Sequence, residues 1–213
     1  MLTLRMGGQG WEGEGQGPKG PNGPRGTNGP KHAKNWFSPY LPDPSDPSYL
    51  SDLQIPPSSR AMPPLHLADE AATQRLGRLL AGSVQMGDLI ALDGPLGAGK
   101  TTLVRALVEE LGGDPTEVSS PTFTLLNRYD ARLAVVHVDA YRLQGPAALA
   151  GLGFDELAED GIGIVEWAER VLAALPTAHT WRIVLSHRAD GREAQVAPPS
   201  GRSVPWLQSD RVP

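Results

Sequence analysis

The nine residues Gly94-Pro95-Leu96-Gly97-Ala98-Gly99-Lys100-Thr101-Thr102 have the types and spacing of a phosphate-binding loop, G-x-x-x-x-G-K-[ST]. Glycines let backbone N–H groups curl around phosphate oxygens, and the N-terminus of a following helix adds partial positive charge. Lys100 has the reach for β- and γ-phosphates, and the Thr101 hydroxyl is placed to ligate Mg²⁺. Lys100 is also the only lysine from Leu65 to the C-terminus, where the other Lys/Arg positions are all Arg. A compact ammonium on a flexible stem is what this position requires.

Nucleotide chemistry at such a loop needs a carboxylate near the metal. Two acidic residues close apolar runs: Asp139 after Leu133–Val138, and Glu166 after Ile162–Val165. The C-terminal ends of parallel strands align, so both can face the loop. The favoured division of labour puts Glu166 with Thr101 at Mg²⁺, and Asp139 nearby, orienting water or holding a metal-bound water. Ser119-Ser120-Pro121-Thr122-Phe123-Thr124 offers four hydroxyls where a γ-phosphate would sit, and such loops order around the terminal phosphate and release on hydrolysis. An ordinary polar connection reads the same way from spacing alone. His137 lies within a strand and reads as structural, and Trp167 as core or as a lid. Asn127-Arg128-Tyr129-Asp130 and Asp160-Gly161-Ile162-Gly163 are near matches to guanine-nucleotide motifs. Both fall in the wrong place, which favours adenine.

These residues must be positioned by strand, loop and helix. Leu89–Leu92 reads as a buried strand entering the loop, and Thr102–Leu111 as a helix leaving it and stopping at Gly112-Gly113. Ala68–Val84 has helical spacing with Ala72, Leu76, Leu79 and Leu80 on one face. Leu125–Tyr129 and Leu133–Val138 read as strands around a turn. Pro146–Leu152 and Phe154–Glu159 read as short helices, Ile162–Glu166 as a strand and Glu169–Leu175 as a helix. Trp181–Ser186 and Glu193–Val196 form a closing pair around Asp190-Gly191, a hairpin signal. The alternation predicts an α/β P-loop NTPase fold: three layers, a mostly parallel central sheet and a C-terminal antiparallel strand pair.

Composition divides the chain. Residues 1–64 hold ten of the 25 Gly and twelve of the 21 Pro, with Gly at every third position from Gly17 to Gly29, and read as a low-complexity, disordered extension. Met62 is a candidate biological start. Residues 65–197 form the domain, and 198–213 read as a loose tail. From residue 65 onward nineteen Asp/Glu face thirteen Lys/Arg, so nucleic acid is expected to be held by a partner rather than gripped directly. The chain has no cysteine, which suits a reducing cytoplasm. No run of about 18 apolar residues suggests a membrane span.

With those residues laid out, the chain resembles the TsaE (YjeE) family of bacterial ATPases from about His66 to Val196. The resemblance rests on Leu92–Thr102, Ser120-Pro121-Thr122-Phe123, His137-Val138-Asp139-Ala140-Tyr141-Arg142-Leu143 and Glu166-Trp167, in that order. Pro95 stands where the family commonly has an acidic residue, and the first 61 residues have no family counterpart. The resemblance implies an ATP hydrolase, weak alone, that serves threonylcarbamoyl modification of adenosine 37 in tRNA. It implies action with the TsaB–TsaD pair, with tRNA reached only through that complex. It further implies ATP at Gly94–Thr102 and near Glu169, Mg²⁺ on Thr101 and Glu166, and Lys100, Asp139 and Glu166 serving hydrolysis. A small-molecule kinase is the alternative, although Arg142, Arg170, Arg182 and Arg188 are too scattered in sequence to suggest a basic lid.

Overall fold

A computed structural model describes residues 63–208. The readings of residues 1–62, including the Gly/Pro period and the Met62 start, lie outside the described residues. Seven strands form one sheet in the order β1-β7-β6-β2-β5-β4-β3. They are β1 (Leu65–Leu67), β2 (Leu89–Asp93), β3 (Leu126–Tyr129), β4 (Ala134–Asp139), β5 (Gly161–Glu166), β6 (Thr180–Arg188) and β7 (Gly191–Ala197). The central strands β4, β5, β2 and β6 run parallel, while β3 on one side and β7 and β1 on the other are antiparallel. The expected parallel centre and antiparallel β6–β7 pair are both present. One edge differs from expectation, since β1 is an additional strand; at the other, β3 runs antiparallel to β4 as the short turn between them requires.

Helices cover both faces. Four α-helices are present among the described residues: α1 (Glu70–Ala81), α2 (Lys100–Glu110), α3 (Pro146–Ala150) and α4 (Phe154–Glu159). Asp69 caps α1 by accepting from the Ala72 N–H at 2.7 Å, which satisfies one orphan donor of the first turn. The buried stripe Ala72, Leu76 and Leu80 then packs with α2 residues Leu103 and Leu107 over Ile90, Leu92, Ile164 and Ile183 of the sheet. Gly77 permits close approach: a Cβ there would lie 2.5 Å from the Leu103 carbonyl oxygen of α2. On the other face, Leu149 of α3 and Phe154 of α4 pack on Leu89, Ala91, Val136 and Val165. Both faces of β2 are therefore covered, and all five of its residues are buried, so it reads as a continuous apolar run rather than an alternating one.

Two expectations are corrected. Glu169–Leu175, expected as a helix, forms two 3-10 turns, Ala168–Arg170 and Leu172–Ala174. Trp167 enters the first in a left-handed conformation, φ 57°. The tail, expected to be loose, packs down through residue 207. Val204 and Leu207 join the same core cluster as the α1 stripe, and Trp206 Nε1 donates to Ser83 Oγ at 2.8 Å. Arg202 grips the buried carboxylate of Asp88 through both terminal nitrogens, and Trp181 Nε1 donates to the same carboxylate at 3.1 Å. The buried acid just before β2 supplies the reason that this segment is held. Arg202→Ala is expected to lower stability by about 2–3 kcal/mol, the worth of hydrogen bonds to a charged group. Urea unfolding checks this, and an unchanged midpoint would show that the clamp contributes nothing.

Candidate functional site

The loop between β2 and α2 is shaped by glycine. Gly94, Gly97 and Gly99 have φ of 141°, 77° and 105°, conformations that L side chains rarely adopt. At Gly94 space is equally strict, since a Cβ would stand 2.3 Å from the Leu185 carbonyl oxygen of β6. Gly99 is the N-cap of α2 and supplies no capping side chain, so the helix start offers its N–H groups to an anion. Thr101 lies in that first turn, half-buried.

Lys100 is buried, and its Nζ donates to the carbonyl oxygens of Gly94 at 2.7 Å and Pro95 at 3.2 Å. It also lies over the Trp167 ring, 4.3 Å from the centroid, a favourable cation–π distance. Burial pulls its ammonium below the ordinary value of 10.5, and the carboxylates of Glu166, Asp139, Asp93 and Glu169 oppose that shift. One cation thus answers to four acids.

The sheet register brings the expected carboxylates together. Asp139 pairs with Glu166 across β4 and β5, and Glu166 pairs with Leu92 across β5 and β2, two residues before Gly94. Both acids are buried at 2% exposure, which excludes the surface-charge reading. Asp139 also caps the 3-10 turn Ala140–Arg142, its Oδ1 accepting from the Tyr141 N–H at 2.8 Å. Its Oδ2 accepts from Thr122 Oγ1 at 2.7 Å, so the Ser119–Thr124 loop is tied to this cluster. Trp167 is buried, and its N–H donates to the Leu92 carbonyl at 3.1 Å, fastening the exit of β5 to the exit of β2. A left-handed Trp under the lysine is backbone strain at a site.

The cradle fits a phosphate-bearing ligand: Gly94 has no room for a side chain, Gly99 leaves the helix N-terminus open, and a buried lysine and two aligned carboxylates lie beside it. A family model described as Threonylcarbamoyl adenosine biosynthesis protein TsaE matches residues 67–195, a segment that holds all of these elements. The chain belongs to the TsaE family.

Among TsaE proteins, that of Treponema pallidum is 40% identical over 127 residues, covering 59% of this chain and 93% of the relative. The Bacillus subtilis protein is 36% identical over 123 residues, covering 57% and 76%. The Rickettsia felis protein is 39% identical over 106 residues, which span 49% of this chain and 62% of the relative's length. All three carry the name tRNA threonylcarbamoyladenosine biosynthesis protein TsaE. A crystal structure of Bacillus subtilis YdiB superposes with a TM-score of 0.52 at 31% identity, covering 65% of this chain and 86% of that one.

Three further residues of this TsaE-family site escape sequence reasoning. Asp93 closes β2 and is buried; its Oδ1 accepts from the Glu169 N–H at 3.2 Å. Arg192 on β7 flanks Gly99, its Nε 3.6 Å from where a Cβ would stand there, and that buried Nε makes no hydrogen bond in the structure. His187 Nε2 lies 3.2 Å from the Leu96 carbonyl. Asp93 was legible only as the residue preceding the motif, and Arg192 only as the residue after a hairpin glycine.

Burial first, and then the neighbouring Glu169 carboxylate, to which a protonated Asp93 donates, push Asp93 well above its ordinary 3.8, while the Glu169 N–H and Arg182 pull the other way. A carboxyl raised in the folded state binds its proton more tightly than the unfolded chain does. That contribution is fully present below pH 3.8 and is lost as pH rises through the raised folded value. Asp93→Asn is therefore expected to gain stability relative to the parent across that window. Unfolding of both proteins from about pH 4 to about pH 8 checks it, and parallel curves would exclude the linkage.

Proposed function

We propose that this TsaE-family chain is a Mg²⁺-dependent ATPase supporting threonylcarbamoyl modification of adenosine 37 in tRNA, in concert with TsaB and TsaD homologues. The observation that carries this reading is the alignment of Lys100, Asp139 and Glu166 at the phosphate-loop end of the sheet in a chain matched by the TsaE family model.

In this reading Gly94–Thr102 wraps the phosphates of ATP, and Thr101 and Glu166 hold Mg²⁺. The metal would supply charge neutralisation on the phosphoryl oxygens. Lys100 must exchange its bonds to the Gly94 and Pro95 carbonyls for phosphate oxygens, and leave Trp167 in doing so. Asp139 would orient water, and releasing Thr122 would free its Oδ2 for that role. Arg192 and Glu169 flank the nucleotide. An acidic domain suits a subunit that reaches tRNA through partners. Among the described residues no helix is long and apolar enough to cross a membrane, and a cytoplasmic setting is part of the proposal.

Reconstitution tests it. Threonylcarbamoyladenosine formation on tRNA with TsaB and TsaD should proceed through multiple turnovers only when this protein and ATP are present, and should fail with Thr101→Ala. Turnover that ignores the protein would remove the tRNA role. A phosphorylated metabolite in place of free phosphate would favour the kinase alternative.

A further inference from the structure

His137 has no exposed surface, and both of its ring nitrogens are engaged. Nε2 lies 3.0 Å from Glu166 Oε1, and Nδ1 lies 3.3 Å from Tyr129 Oη on the neighbouring strand β3. Tyr129 Oη donates to the Ser119 carbonyl at 3.1 Å and accepts from Asn127 Nδ2 at 3.2 Å. Asn127 Oδ1 accepts from Thr124 Oγ1 at 2.8 Å. The contacts therefore run without a gap from the Ser119–Thr124 loop, through Tyr129 and His137, to Glu166. The same loop is bonded to Asp139 through Thr122. It thus touches both carboxylates, one directly and one through two side chains.

Donor counting shows what this relay can do. A carboxylate that holds a metal only accepts, so His137 Nε2 carries the hydrogen facing Glu166. A neutral ring then presents Nδ1 as an acceptor. The Tyr129 hydroxyl has one hydrogen and two acceptors within reach, the Ser119 carbonyl and His137 Nδ1. With the loop in place the hydrogen serves Ser119. When the loop withdraws, it turns to His137 and fixes the imidazole, and with it the carboxylate that the imidazole holds. Two arrangements of one hydroxyl thus correspond to two positions of the loop. With the loop in place His137 Nδ1 is left without a hydrogen, a cost of burial that a mere bystander in an otherwise apolar sheet would not carry.

We propose that Tyr129 and His137 are positioning residues that couple the Ser119–Thr124 loop to the orientation of the Glu166 carboxylate. The proposal rests on the reading of Glu166 as part of the nucleotide site.

The test uses the full chain, with two readouts: amide hydrogen exchange of residues 119–124 in the free protein, and kcat and KM for Mg-ATP. Tyr129→Phe keeps the ring and removes the hydroxyl. His137→Gln keeps a donor toward Glu166 and loses the contact to Tyr129. Tyr129→Phe, which removes the donor to Ser119, is expected to speed exchange of the loop about fivefold, whereas His137→Gln, which removes the acceptor that competes for that hydrogen, is expected to slow it about twofold to fivefold; each is expected to lower kcat about fivefold to tenfold, with KM within about twofold, the scale of one buried hydrogen bond. The double variant should match Tyr129→Phe in loop exchange and be no slower in kcat than either single one, because one relay is cut once. Exchange in α1 serves as the reference for general loosening. Unchanged loop exchange in both single variants, or losses that multiply in the double, would overturn the coupling. Should Glu166→Gln hydrolyse ATP normally, the nucleotide-site reading fails separately. Loop exchange in Glu166→Ala then still decides: altered exchange keeps the coupling, and unchanged exchange ends it.

Discussion

Lys100→Ala is expected to abolish measurable ATP binding, with affinity falling on the order of 10²–10³-fold, the scale for loss of one preorganised charged group. Two losses combine. The ammonium that would meet the phosphates disappears, and so does the cation that lies among Asp93, Asp139, Glu166 and Glu169. Without it those acids confront the phosphates directly, so the loss should exceed that of a phosphate loop with a single acid nearby. Lys100→Arg is expected to rescue poorly. The native ammonium fits between two carbonyls and the Trp167 ring, a setting made for a compact charge rather than a planar fork. Calorimetric titration with Mg-ATP measures the effect, and Trp167 beneath the lysine gives a fluorescence signal for the same event. Parental affinity in Lys100→Ala would dismiss the site.

The second large effect concerns Glu166. Glu166→Gln is expected to hydrolyse ATP on the order of 10²–10³-fold more slowly, while binding nucleotide. The amide oxygen can still accept from His137 Nε2, which lies 3.0 Å from Glu166 Oε1, so the side chain should stay in place while its charge goes. That separates electrostatics from packing, which Glu166→Ala at a 2%-exposed position would not. Phosphate release under single-turnover conditions is the measurement. Undiminished turnover would transfer the role to Asp139.

Much of this arrangement is legible in the chain because its signals are local. The apolar run of β2, the glycines after it and the helical spacing of α2 are adjacent in sequence, and each dictates its own backbone. Asp139 and Glu166 are legible because apolar strands end at them, and parallel pairing makes strand ends meet. What is missed depends on distant partners. β1 is three residues long and exists because Leu65–Leu67 pairs with β7, more than 120 residues away. The segment after Trp167 has helical spacing but forms only 3-10 turns, and its Glu169 N–H is bonded to Asp93, 76 positions away. His137 is buried as expected of a structural residue, yet it touches Glu166 across strands, a contact that spacing cannot reveal. The acid at Asp88 and the arginine at Arg202 are 114 positions apart, and neither belongs to a motif.

That last pair bears on how the protein should be handled. The family-matched segment ends at residue 195, and a fragment trimmed there would look complete by similarity. It would discard the guanidinium that neutralises Asp88 and uncover the apolar surface beneath Val204 and Leu207. A buried acid left without its cation at the root of β2 loosens the strand that carries the phosphate loop. Such a fragment would tend to collect as insoluble material, and a negative activity screen on it would describe the trimming rather than the protein.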